Sequence, residues 1–267
     1  MSSPAPIGVF DSGIGGLTVV GALTRRLPEE SVVYFGDTAR VPYGPKSPDT
    51  VRRYSREITD WLRAQGVKVV VIACNTATAH ALTDLREHFE LPIIGVIEPG
   101  AKAALAVTRS GPIGIIGTSG TIASGAYARE IWTHAPDATV VSQACPLFVP
   151  IVEEGWVDHP ATKLIAREYL APLMAAHVKA VVLGCTHYPL MRGLLGEILG
   201  ADVALIDSAE ATADAVARVL DMKHLRAPDG DHPAHRFVAS DAPAQFLRVG
   251  QRFLGAAIER VETVTLG

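Results

Sequence analysis

Val70-Val71-Ile72-Ala73-Cys74-Asn75-Thr76 runs four apolar residues directly into a thiol and two small polar side chains. A continuous apolar run of this length suits a strand buried on both faces of a parallel sheet. The abrupt change of chemistry at Cys74 marks the strand's carboxyl end, just before a helix. The pattern returns 111 positions later as Val181-Val182-Leu183-Gly184-Cys185-Thr186-His187.

Two more pairs fall into nearly the same register. Ile7-Gly8-Val9-Phe10-Asp11-Ser12-Gly13 answers Ile113-Gly114-Ile115-Ile116-Gly117-Thr118-Ser119 at an offset of 106. Ile94-Gly95-Val96-Ile97-Glu98 answers Ala204-Leu205-Ile206-Asp207-Ser208 at about 110. Apolar runs at 7–10, 32–35, 69–73, 93–97, 113–116, 139–142, 180–183 and 203–206 alternate with amphipathic stretches. Ser47-Pro48-Asp49 reads as a helix start, with Val51, Tyr54, Ile58, Trp61 and Leu62 at helical spacing and Gly66 as the stop. This βαβ alternation predicts an α/β fold of two pseudo-twofold-related, doubly wound domains with mainly parallel sheets and an active site in the cleft between them. Residues 99–208 are expected to form the second domain. Residues 1–98 form the first, which 209–267 rejoins through a helix at 209–222, a strand at 236–240 and a helix at 242–254. The Pro- and Asp-rich stretch 223–235 reads as an exposed loop.

Bulk composition narrows the function. The 267 residues are 48% hydrophobic, carry a net charge of −4 and have a pI near 6.1. No broad basic surface is available for nucleic acid or an anionic membrane. No apolar run is long enough for a membrane span, and Met-Ser-Ser-Pro-Ala-Pro lacks the features of a signal peptide. The expected location is the cytoplasm, where an odd count of three cysteines argues against a disulfide framework.

Ligands of open α/β sheets bind beyond the carboxyl ends of the strands, which is where Cys74 and Cys185 stand. If the repeats face each other, the two sulfurs lie on opposite walls of one cleft. Inverting a carbon that bears an acidic C–H needs a base on one face and an acid on the other. A thiol with an ordinary pKa of about 8.5 suits both roles after modest tuning. A lone cysteine at a strand end is usually core packing, and Cys145, with no counterpart in the first repeat, fits that description. A zinc site using the two cysteines with His80 or His187 is an alternative, although neither half carries a Cys-x-x-Cys or His-x-x-x-His cluster.

Asp11-Ser12-Gly13-Ile14-Gly15-Gly16 invites a dinucleotide-binding reading, with Asp37 at about the right distance. The fingerprint fails because its third glycine position is Thr18, and no lysine follows as in a P-loop. The turn can still hold a carboxylate at a helix N-terminus. An acid placed directly after a buried strand, as Asp11 is, is costly unless it faces a cleft.

Six stretches in order resemble the glutamate racemase family. They are Phe10-Asp11-Ser12-Gly13-Ile14-Gly15-Gly16-Leu17, Tyr34-Phe35-Gly36-Asp37-Thr38, Val41-Pro42-Tyr43-Gly44, Ala73-Cys74-Asn75-Thr76-Ala77, Pro150-Ile151-Val152-Glu153-Glu154-Gly155 and Leu183-Gly184-Cys185-Thr186-His187-Tyr188-Pro189-Leu190. The related aspartate racemases typically carry Cys-Thr-Glu at the second cysteine, so His187 favours glutamate. The resemblance implies no pyridoxal phosphate and no metal. Cys74 is implied as the base toward D-glutamate and Cys185 as the base toward L-glutamate. Asp11, Glu153 and His187 match the family's auxiliary acid/base groups. Asp11, Ser12, Pro42, Tyr43, Gly44, Cys74, Asn75, Thr76, Cys185, Thr186 and His187 match its substrate-binding positions. It further implies a homodimer that supplies D-glutamate for peptidoglycan. A decarboxylase or hydantoin racemase of the same superfamily, and a nucleotide-binding module built on the glycine-rich turn, are the competing readings.

Overall fold

The computed structural model describes residues 2–108, 111–228, 230, 233–254 and 258–266. Positions 229, 231 and 232 of the expected loop 223–235, and Met1 of the N-terminal stretch, lie outside the described residues. The first half runs β1 (Ile7–Asp11), α1 (Leu17–Arg26), β2 (Val32–Gly36), α2 (Pro48–Ala64), β3 (Val69–Ile72), α3 (Asn75–His88), β4 (Ile93–Gly95) and α4 (Ile97–Val107). The second runs β5 (Ile113–Gly117), α5 (Ser119–Ser124), α6 (Ala126–His134), β6 (Val140–Ala144), α7 (Phe148–Glu154), α8 (Pro160–Ala175), β7 (Ala180–Gly184), α9 (Arg192–Leu199) and β8 (Ala204–Ile206). The chain continues through α10 (Ser208–Met222), β9 (Arg236–Ala239), α11 (Pro243–Leu254) and β10 (Glu262–Thr263).

Two parallel sheets result, ordered β10-β9-β2-β1-β3-β4 and β6-β5-β7-β8. The order β2-β1-β3-β4 is the order β6-β5-β7-β8, so the internal repeat is a repeat of topology. Ile7 lies opposite Val32 and Val69, as Ile113 lies opposite Val140 and Ala180. One sequence match needs correcting. Val71 pairs with Ile94, and its counterpart Val182 pairs with Ile206. Ile206 rather than Ala204 therefore answers Ile94. Apolar identity alone does not set the register of three-residue strands.

Each sheet is covered on both faces, which is why its strands are apolar throughout rather than alternating. In β1 and β3, Ile7, Val9, Val69 and Val71 pack with Leu17 and Leu23 of α1 and Val216 and Leu220 of α10. Phe10, Val70 and Ile72 pack on the other face with Ile58, Leu62, Ala81 and Leu85 of α2 and α3. The second sheet divides alike: Val181 and Leu183 face Leu170 and Leu173 of α8, whereas Ala180 and Val182 face Ala101, Ala104 and Ile131 of α4 and α6. Ser47 caps α2 through its hydroxyl, Pro48 opens the helix, and Gly66 adopts a left-handed φ of +75° just beyond it. Helix α10 packs against α1 and against α4, the helix that leads from the first half into the second. β9 and β10 extend the first sheet beyond β2.

Candidate active site

Both sheets turn their carboxyl ends toward one cavity of about 30 Å³. Cys74 follows β3 and caps α3 with an extended backbone. Its sulfur accepts from the Ala77 N–H at 3.4 Å and donates to Ser12 Oγ at 3.7 Å. Cys185 follows β7, with its sulfur 3.9 Å from His187 Nδ1. The other ring nitrogen, Nε2, lies 2.9 Å from Glu153 Oε1 on α7. Each thiol is 6% exposed and faces the cavity. Asp11, Ser12, Pro42, Tyr43, Gly44, Asn75, Thr76, Thr186 and His187 share its wall. Glu153 sits behind His187 rather than on the wall.

The wall also contains Val41, Thr118 and Val149, which motif reading did not single out. Thr118 had a signal in the sequence. At the offset of 106 it is the repeat counterpart of Ser12, with its role hidden because serine has become threonine.

Charge is distributed unequally between the thiols. Asp11 is buried; its Oδ2 accepts from the Gly13 N–H at 3.1 Å and its Oδ1 has no hydrogen-bond partner among the described residues. Burial raises the Asp11 pKa, against the opposing pull of the His187 charge. Burial pushes the Cys74 thiol up to about 12, and the Asp11 carboxylate adds to that shift. For His187, burial works against the charged ring, but the contacts with Cys185 and Glu153 outweigh it and lift the pKa to about 10. The two walls therefore differ in direction: burial and Asp11 favour the protonated Cys74 thiol, whereas the contacts around His187 favour its charged ring.

Close packing explains the glycine-rich turn. A Cβ at Gly15 would meet Thr186 Oγ1 at 2.3 Å and His187 Nδ1 at 2.5 Å, and one at Gly16 would meet Asp11 Cβ at 2.6 Å. The turn has to be thin because the Cys185–Thr186–His187 turn of the second half rests on it. Asp37 holds protein groups. It accepts from Arg40 Nε, from the Tyr43 hydroxyl at 2.5 Å and from Ser240 Oγ at 3.0 Å. That clamp fixes the Pro42-Tyr43-Gly44 loop on the cavity wall.

Further contacts cross between the halves. Thr76 Oγ1 lies 2.8 Å from Thr118 Oγ1 and 3.2 Å from Thr121 Oγ1. The Gly120 N–H donates to the Gly44 carbonyl at 2.9 Å. From α11, Arg252 donates to the Glu153 carbonyl at 2.9 Å, and Phe253 stands edge-on to the His187 ring at 5.6 Å.

Residues 17–216 match the family model described as Asp/Glu/hydantoin racemase. The chain is 53% identical over 261 residues to the glutamate racemase of Syntrophus aciditrophicus, covering 98% of this chain and 97% of that one. The crystal structure of a Bacillus anthracis glutamate racemase isoform superposes with a TM-score of 0.94 at 41% identity, over 98% of both chains. That of the Francisella tularensis glutamate racemase, in complex with D-glutamate, gives 0.92 at 39% identity, again over 98% of both.

Proposed function

The chain belongs to the Asp/Glu/hydantoin racemase family, and from that membership and the cleft we propose a cofactor-independent glutamate racemase working with two opposed thiols. The observation that carries this reading is the pair Cys74 and Cys185, equivalent in the repeat and facing one cavity from different sheets. In the L→D direction the Cys185 thiolate takes the Cα proton. The C–H electron pair stays on the substrate, and the Cys74 thiol delivers its proton to the opposite face. This leaves Cys185 as thiol and Cys74 as thiolate, the pair that D→L turnover uses. The His187 ring stands beside Cys185, with Glu153 holding its other nitrogen. Asp11 stands beside Cys74 as the corresponding group of the first half.

Ser12, Asn75, Thr76 and Thr186 offer hydroxyl and amide groups to the substrate's carboxylates, and the N-terminus of α3 adds its positive dipole end. The Pro42-Tyr43-Gly44 loop closes one side. The α-proton is a weak acid, and its removal without an electron sink calls for charge stabilisation by fixed dipoles in a water-poor cleft. We place the enzyme in the cytoplasm, as a homodimer supplying D-glutamate for peptidoglycan.

Turnover of L- or D-glutamate in deuterated buffer free of metal and pyridoxal phosphate tests the reading. Deuterium should enter Cα of the product enantiomer. Cys74→Ser and Cys185→Ser should each lower turnover by roughly 100-fold or more with the fold retained. Near-wild-type racemisation by either variant, or faster turnover of aspartate than glutamate, would overturn the mechanism or the substrate respectively.

A further inference from the structure

Asn75 is a wall residue whose side-chain amide is half used. Its Oδ1 accepts from the Tyr127 hydroxyl at 2.7 Å, while its buried Nδ2 has no partner among the described residues. Asn75 begins α3 in the first half, and Tyr127 belongs to α6 in the second. Tyr127 is itself 2% exposed and tightly enclosed. A Cβ at Gly100 would stand 3.2 Å from its hydroxyl, and one at Gly184 would stand 3.1 Å from its ring.

An asparagine amide can face a cleft either way round, and the two faces are opposite in chemistry. With Nδ2 forward it donates to a carboxylate; with Oδ1 forward it repels one. The Tyr127 phenol is a hydrogen-bond donor here. The acceptor it finds is Asn75 Oδ1, which leaves Nδ2 as the face turned to the cavity. A buried amide nitrogen without a partner is destabilising, and a substrate carboxylate would meet that need.

We propose that Tyr127 is a positioning residue for substrate binding: it fixes the Asn75 amide so that Nδ2 addresses a carboxylate of the substrate. The inference rests on the glutamate racemase reading, because it takes a dicarboxylate as the ligand. It also ties recognition to the assembly of the two halves, since the residue that binds and the residue that aims it come from different sheets.

Steady-state kinetics of Tyr127→Phe, Asn75→Ala and the double variant test the proposal. Tyr127→Phe should raise KM about tenfold for both enantiomers, the effect of one charge-assisted hydrogen bond, with kcat within about twofold of wild type. Adding Tyr127→Phe to Asn75→Ala should raise KM no further, because Tyr127 acts only through the amide. Asn75→Asp, which puts a carboxylate oxygen where Nδ2 stands, should raise KM at least as far and serves if Tyr127→Phe folds poorly. Unchanged KM in Tyr127→Phe or Asn75→Asp, or fully additive effects in the double variant, would overturn the positioning role. Failure of the wild-type protein to racemise glutamate would instead overturn the reading beneath it.

Discussion

At the scale of single residues, the two thiols are alike in sequence and unlike in surroundings. Cys74 has a carboxylate for a neighbour and Cys185 a histidine ring. Burial is the larger reason that the Cys74 thiol sits near 12, and the Asp11 carboxylate is the next. A negative charge beside a thiol disfavours the thiolate, so removing that charge must lower the thiol's pKa. Asp11→Asn should therefore let Cys74 react with iodoacetamide at lower pH than in wild type, followed peptide by peptide by mass spectrometry. An unchanged or higher midpoint would mean that Asp11 does not act on Cys74 through its charge. Both cysteines, Asp11 and His187 were legible in the sequence because they stand next to apolar runs that mark the sheet edge. Val149 was not, since an apolar residue inside a helix gives no sign that it faces a cleft. Tyr127 was equally silent: its hydroxyl meets Asn75 only after the two halves come together.

At the scale of elements, all eight apolar runs became strands, within about two residues of the expected ends. Strands buried on both faces leave an unambiguous trace. The two-residue β10 leaves none, because its place is set by pairing with β9 rather than by its own composition. The boundary between α5 and α6 likewise rests on one residue, Gly125, with a left-handed φ of +64°. The glycine-rich turn before α1 shows how far a motif alone can mislead. Its glycines resemble a nucleotide loop but serve contact with Thr186 and His187. Gly15→Ala should accordingly displace the Cys185–Thr186–His187 turn. Activity should fall at least tenfold, and far-UV circular dichroism should stay as in wild type. Full activity in that variant would show that the turn has slack that the contact distances deny.

At the scale of the whole molecule, we propose a division into 1–98 plus 209–267 and 99–208, following the sheets to which the strands belong. The cleft between these bodies holds about 30 Å³, enough for one or two waters and far less than a glutamate requires. We predict that substrate enters by a parting of the halves, which breaks the Thr76–Thr118 and Thr76–Thr121 hydrogen bonds and the Gly120–Gly44 link. Both thiols lie behind this seam, so a reagent that reaches one after opening reaches the other. Thr121→Val deletes one hydroxyl at the seam while keeping the shape of the side chain and leaving Thr118 to cap α5. A net loss of about 1 kcal/mol from the closed state corresponds to roughly fivefold more frequent opening. Alkylation of Cys74 and Cys185 should therefore accelerate together by about that factor, and saturating D-glutamate should protect both. Cys145 is fully enclosed in the core of the second sheet and should keep its wild-type rate. Acceleration of one active-site thiol without the other would mean that access is local rather than a parting of the halves. Equal acceleration of Cys145 would mean that the substitution had loosened the fold as a whole.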